Sequence, residues 1–310
     1  MSEYVTIKVT KEVAKLIQQD YSSFLVENSG EYVLFCASLD TLQITAYTSK
    51  KETITVTFKG ESALEAALKY DENAKVSAAK ERIKTEFVTT APHIGSDEVG
   101  VGDFFGPVVV AAAYVDENSF DLLKELGIDD SKKISDKKIL EKGPKLLSDF
   151  KYSLLICYPE KYNQMQEKGF NMNKIKAWLH NHALVTIKKK YGLTAPIYVD
   201  QFVSEPTYFR YLEDAKEVET NINFLTKAES YYPAVALASC IARYTFLLVM
   251  EEYHKKYDLV IPYGASSKVS EFAFDFANKF SKEELDKIIK KNFKNYLEVL
   301  DKLNPKLDLD

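Results

Sequence analysis

Two acids side by side, Asp97 and Glu98, close a short apolar run and are followed by Gly100, Gly102 and Gly106. A second apolar run from residue 108 to 115 is rich in β-branched and small side chains. The pattern predicts a strand, a tight glycine loop and a buried strand. Carboxylates at the end of a core strand, beside a loop whose bare backbone can approach a ligand, suit a hard metal ion and a phosphate. Another apolar run, Ile197-Tyr198-Val199, ends at Asp200, and Glu229 stands where a long helical pattern begins. Acids that close separate strands can converge on one oxygen-ligand cage, and a carboxylate near a helix N-terminus is favoured by the dipole there. Asp97 and Glu98 are adjacent, so a strict strand would point them to opposite faces; a turn beginning at that point would bring both to one site. These residues predict metal-assisted chemistry on a phosphodiester, with Mg²⁺ as the ion that suits a few carboxylates plus substrate phosphate.

Strands and helices must bring these distant positions together. From residue 94 onward the two patterns alternate. Helical spacing covers 119–126, 135–149, 174–190 (with Gly192 as its stop) and 229–253, and strands are expected at 152–157 and 196–199. Ser281 with Glu284 predicts a capping box. This alternation predicts an α/β layered domain with a mixed sheet. Residues 1–70 predict a small α+β unit, with strands at 4–9, 31–37, 42–47 and 53–58 and helices at 11–19 and 62–68. Its aromatics Tyr4, Tyr32, Phe35, Tyr47 and Phe58 are expected to pack its core, with a substrate-binding face as the sharper alternative. The polar, lysine-containing stretch after them reads as a linker, giving domains at 1–70 and 93–310 joined by 71–92.

The chain has 310 residues, 46% of them hydrophobic and 28% charged, which is enough for two domains with real cores. Its net charge of −5 excludes a uniformly basic surface, so any nucleic-acid contact must use local lysine clusters. Arginine occurs only at Arg82, Arg210 and Arg243. Lysine grips phosphate as a point charge, so phosphate contact is expected over base readout. The three cysteines form no C-x-x-C pair, which argues against a zinc ribbon or a disulfide framework and suits a reducing cytosol. The N-terminus has no apolar signal core, and the apolar segment at 231–250 is interrupted by Arg243 and reads as a buried helix. The expectation is a cytoplasmic monomer with no membrane association and no obligate protein partner. His180 and His182 are two apart on a helix and share no face, so no role is expected for them.

Gly95-Ser96-Asp97-Glu98-Val99-Gly100, continued by Gly102-Asp103-Phe104-Phe105-Gly106-Pro107, resembles the first motif of the bacterial type 2 ribonucleases H, and its second part resembles the ribonuclease HIII branch. Asp129-Asp130-Ser131-Lys132-Lys133 is similar to the D-S-K-K element of that family, and Val199-Asp200-Gln201-Phe202 to its third motif. Lys227-Ala228-Glu229, leading into the small-residue run 234–243, is similar to its helix motif. The resemblance implies a ribonuclease H-like layered domain preceded by a small TATA-binding-protein-like domain that binds substrate. It implies an endoribonuclease that hydrolyses the RNA strand of RNA/DNA hybrids and leaves 5′-phosphate and 3′-hydroxyl ends. Asp97, Glu98, Asp200 and Glu229 would hold two Mg²⁺ or Mn²⁺ ions, with Asp97 bridging them. Gly100, Val101 and Gly102 would sense the ribose 2′-hydroxyl, and Ser131, Lys132, Lys133 and Lys268 would contact the substrate backbone. Two alternatives remain: cleavage at single ribonucleotides embedded in DNA, as in the sister ribonuclease HII group, and a non-catalytic nucleic-acid-binding protein. A P-loop is unsupported, because no Lys-Ser/Thr follows the glycines.

Overall fold

The computed structural model describes residues 3–26, 32–48, 53–76, 87, 91–128 and 134–304. The chain divides into two compact units, residues 1–84 and 85–310.

The first unit is an antiparallel sheet with helices on one side. Strand β1 (Glu3–Val9), helix α1 (Lys11–Asp20), β2 (Leu25–Val26), β3 (Val33–Ser38), β4 (Leu42–Tyr47), β5 (Ile54–Gly60) and helix α2 (Ala63–Leu68) follow in order. The strands lie in the sequence β1-β5-β4-β3-β2. Period-2 alternation decides its two faces. Val5, Ile7, Val9, Ile44, Ala46, Val56 and Phe58 point to the helices and are buried. Tyr4 lies opposite Lys59, and Tyr47 opposite Thr55, on the open face. The expectation of a wholly internal aromatic set is therefore corrected. Phe35 and Phe58 are core, whereas Tyr4, Tyr32 and Tyr47 are exposed. This unit also runs past residue 70, since Ala74 joins its core and Val76 bridges Val5.

The second unit is built on a five-strand mixed sheet ordered β10-β9-β6-β7-β8. Its elements are β6 (His93–Val99), β7 (Val108–Val115), α3 (Ser119–Glu125), α4 (Asp136–Asp149), β8 (Lys151–Cys157), α5 (Pro159–Glu167), α6 (Met172–Tyr191), β9 (Ile197–Asp200), α7 (Glu205–Tyr211), β10 (Ile222–Leu225), α8 (Pro233–Tyr257), α9 (Ser267–Phe280), α10 (Lys282–Asp286) and α11 (Lys294–Leu303). β6, β7 and β8 are antiparallel neighbours, while β9 runs parallel to both β6 and β10. Helices cover both faces, so β7 is buried along nearly its whole length. One core contains α8 with Val109, Ala111 and Ala113; the opposite core contains α6 with Val108, Val110 and Ala112.

Small residues let α8 lie close on the sheet. A Cβ on Gly95 would sit 2.2 Å from the backbone nitrogen of Val235, so only glycine permits that approach. α8 has the length and apolarity of a membrane span, but 83% of that stretch is buried within the protein, as a core helix requires. It begins at Pro233 rather than at residue 229; Ala228–Ser230 instead forms a separate 3₁₀ turn. Gly192 caps α6 in the left-handed conformation, and the Ser281 hydroxyl accepts the Glu284 amide at 3.3 Å, both as the sequence predicts.

Candidate active site

β6 and β9 are parallel neighbours whose register pairs Ile94 with Ile197 and Ser96 with Val199. The next step in that register sets Asp97 level with Asp200. Side chains of level residues on adjacent strands share a face, so both carboxylates point to the α8 side at the strand ends. Asp97 accepts a hydrogen bond from the Ser239 hydroxyl on α8, and its Oδ1 also accepts the Glu98 amide at 2.8 Å. Asp200 Oδ1 accepts the Ala228 amide at 2.9 Å. That bond ties down the 3₁₀ turn that carries Glu229. Lys227, just before the turn, takes a left-handed conformation (φ 60°) that turns the chain away from β10. The placement of Glu229 thus comes from a turn clipped to Asp200 rather than from the first turn of the long helix.

Electrostatics agree with this crowding. Burial, then the Glu98 and Asp200 charges, push the Asp97 carboxyl up to about 7. Asp200 is also raised, by burial and by the charges of Glu229 and Glu98, against the pull of the Ala228 amide. Each carboxylate senses its neighbours, which is the condition a divalent cation relieves.

Glu98 goes the other way. β6 continues in regular pairing through Val99, opposite Val109, so strand alternation is kept and Glu98 faces α6. There its Oε1 pairs with the Lys176 ammonium and its Oε2 lies 2.9 Å from His180 Nε2. A carboxylate only accepts, so Nε2 donates to it, while Nδ1 is hydrogen-bonded with the Ser96 hydroxyl at 2.7 Å. Burial alone would raise Glu98, but the His180 and Lys176 contacts outweigh it and hold the group at about 2. Lys176 sits 3.9 Å above the Phe202 ring, and His180 stacks on the same ring at 5.4 Å. The glycine turn therefore does not swing Glu98 round beside Asp97.

Gly100 has φ +93°, and a Cβ there would meet the Pro107 carbonyl at 2.1 Å, so its glycine is required by the turn itself. Gly102 is different. It is exposed, and nothing lies within 4 Å of where a Cβ would stand. Val101 is half-buried against the α6-side core. Two later segments pin the rest of this loop. The Gly264 amide donates to Asp103 Oδ1 at 2.6 Å, and buried Lys290 donates to the Gly106 carbonyl at 2.6 Å. Ser131, Lys132 and Lys133 lie outside the described residues. Lys268 is exposed in the first turn of α9, a helix that packs on α10 and α11.

Sequence reasoning missed Lys176 and His180. They are four apart on α6 and so share one face, a spacing visible in the chain, but α6 also carries Lys174, Lys188, Lys189 and Lys190 and reads as a solvated lysine helix. Lys176 is only 6% exposed and His180 is fully buried.

In kind, the donor set is all carboxylate oxygen and fits a hard divalent cation better than zinc or copper. Among the described residues, no three Asp, Glu, His or Cys side chains converge closely enough to hold an ion as they stand. The orientation of Glu98 toward α6 accounts for part of this.

The site is thus a set of carboxylates at the ends of adjacent strands of a five-strand mixed sheet, backed by a long apolar helix. The family model described as Ribonuclease HII matches residues 94–296, and a domain of unknown function, DUF3378, matches residues 4–82. Ribonuclease HIII of Bacillus cereus is 37% identical over 306 residues, spanning 95% of this chain and 97% of its own. Ribonuclease HIII of Bacillus anthracis matches to the same extent. Bst-RNase HIII, solved in complex with Mn²⁺, superposes with a TM-score of 0.66 at 32% identity, over 96% of this chain and 98% of its own. RNase H3 of Aquifex aeolicus shares the fold, with a TM-score of 0.53 at 24% identity over 93% of this chain and 99% of its own. The chain belongs to the ribonuclease HIII family.

Proposed function

We propose that Asp97, Glu98, Asp200 and Glu229 carry out two-metal-ion hydrolysis in this endoribonuclease, which acts on the RNA strand of RNA/DNA hybrids. The level pairing of Asp97 with Asp200, with the Glu229 turn hung from Asp200, is the observation that carries the reading. It supports a set of hard oxygen donors gathered at the ends of adjacent strands. A Mn²⁺-bound relative supports a divalent ion; Mg²⁺ suits the same donors. When bound, the ions would lower the pKa of the attacking water and stabilise the leaving 3′ oxygen. The chain's own part is to aim those donors. Asp97, near the end of the sheet's central strand and held by Ser239 and the Glu98 amide, has the placement a bridging ligand needs. Asp200 orients Glu229 through the Ala228 amide.

Selectivity for RNA falls to the glycine loop. Gly102 presents bare backbone with open space, which suits close approach of a ribose 2′-hydroxyl. Lys268 and the lysines at 132 and 133 would meet phosphates, and the open sheet face of the first unit, with Tyr4 and Tyr47, would hold the hybrid. A cytoplasmic monomer suits such an enzyme. The test is cleavage of a hybrid by the full chain with Mn²⁺ or Mg²⁺, against EDTA, with Asp97→Asn alongside. Loss of cleavage in both arms is expected. Turnover of the variant within about tenfold of the parent would remove Asp97 from the bridging role. A run of several ribonucleotides should be cut in preference to a single one; the reverse would favour the embedded-ribonucleotide reading.

A further inference from the structure

Both oxygens of Glu98 are engaged on the α6 side of the sheet, Oε1 by Lys176 and Oε2 by His180. We infer that Lys176 is a positioning residue that competes with the metal ion for Glu98, so that the ion binds by exchanging with the ammonium rather than by entering a finished cage. This rests on the metal-site reading above.

Lys176 is poised for that exchange. It is one helical turn from His180 on the buried face of α6, and its ammonium lies over the Phe202 ring at 3.9 Å. Phe202 follows Asp200 by two residues, so the ring belongs to the segment that leaves the strand carrying a proposed ligand. A cation over a ring face keeps a favourable partner after it gives up a carboxylate. His180 is fixed at its other nitrogen by Ser96 and stacks on the same ring, so it guides Glu98 while Lys176 holds it. The ammonium also offsets the negative charge that Asp97, Glu98, Asp200 and Glu229 bring to the same end of neighbouring strands. Its presence therefore lowers the affinity of that end for any further cation. Release of Glu98 by Lys176 and its capture by the ion are then one event, and Lys176 sets the metal concentration at which the site fills.

The test is Mn²⁺ binding to the full chain by calorimetry, without nucleic acid. Lys176→Met keeps the length of the stem and removes the charge, and should bind Mn²⁺ on the order of tenfold more tightly, the factor that one charge-assisted hydrogen bond represents. Lys176→Arg keeps a cation and should stay within about threefold of the parent. A residue that served packing alone would, on removal, loosen the site and weaken binding or leave it unchanged. If Lys176→Met does not fold, Lys176→Gln carries the same expectation. A charge-removing variant that binds within about threefold of the parent or more weakly, or an arginine variant that tightens as much as the methionine one, overturns the exchange. A parent chain that binds no Mn²⁺ would instead overturn the metal-site reading itself, and so the two failures are told apart.

Discussion

Replacing Asp97 by Asn should make this enzyme inactive and more stable at the same time. The folded chain holds the Asp97 carboxyl at about 7, against an ordinary value of 3.8. At 1.36 kcal/mol for each tenfold, that gap corresponds to about 4 kcal/mol of destabilisation when the group is forced to ionise. Asp97 is half-buried, so solvent screens part of this, and about 2 kcal/mol is the expected gain. The sign follows from proton binding. Between pH 4 and 7 the folded state holds more protons than the unfolded one, so stability falls as pH rises through that window. Asparagine cannot ionise. Its single amide oxygen can still accept the Glu98 amide, and its NH₂ can donate to the Ser239 hydroxyl, so the variant loses the charge and keeps both contacts. The difference from the parent should be near zero at pH 4 and full above pH 7, where about 2 kcal/mol raises Tm by roughly 4–8 °C in a unit of this size. Urea titrations at pH 4.5 and pH 8, without metal, measure it. Adding Mn²⁺ should narrow the gap at pH 8, since the parent gains more from the ion. A variant no more stable than the parent at pH 8, or equally stabilised at both pH values, would refute the argument that burial and neighbouring carboxylates make the Asp97 charge costly to the fold.

Other positions give further tests. Gly95→Ala puts a methyl 2.2 Å from the Val235 backbone nitrogen, so the strand and α8 must part; a loss of about 3 kcal/mol by denaturant titration is expected, together with weakened cleavage. His93 is buried, accepts the Ala234 amide at 3.1 Å through Nε2, and lies 2.8 Å from the Ala91 carbonyl through Nδ1. Burial lowers its pKa against the pull of Ala91, so the contribution of this ring is present above its ordinary value of 6.5 and is lost as pH falls below it. His93→Gln should flatten the decline in stability as pH falls below 6.5. On the open face of the first unit, Tyr4→Ser combined with Tyr47→Ser should raise KM for the hybrid at least several-fold and leave kcat near the parent's. An unchanged KM would take that face out of substrate binding.

Much of the architecture is written locally. Tyr4 to Val9 and Leu42 to Tyr47 alternate apolar and polar residues, and an alternating strand can bury only one face, so sheet and faces follow from the chain itself. Gly192 and the Ser281–Glu284 pair end and begin helices through their own backbone and hydroxyl chemistry, which needs no distant partner. The first motif, the carboxylates at 97, 98, 200 and 229, and the family they indicate are equally local in origin. What escaped was decided by contacts between residues far apart in the chain. The long helix starts at Pro233 because the Asp200 carboxylate holds the preceding turn, 28 residues away in sequence. Tyr4 and Tyr47 are exposed because the helices cover the other face of their sheet, which no periodicity within a single strand specifies. Lys176 looks like any solvated lysine until α6 is laid against β6, where Glu98 and the Phe202 ring give its charge a buried home. Alternation in sequence told Asp97 and Glu98 to face apart; only the packed sheet, by keeping β6 regular through Val99, decided that they do.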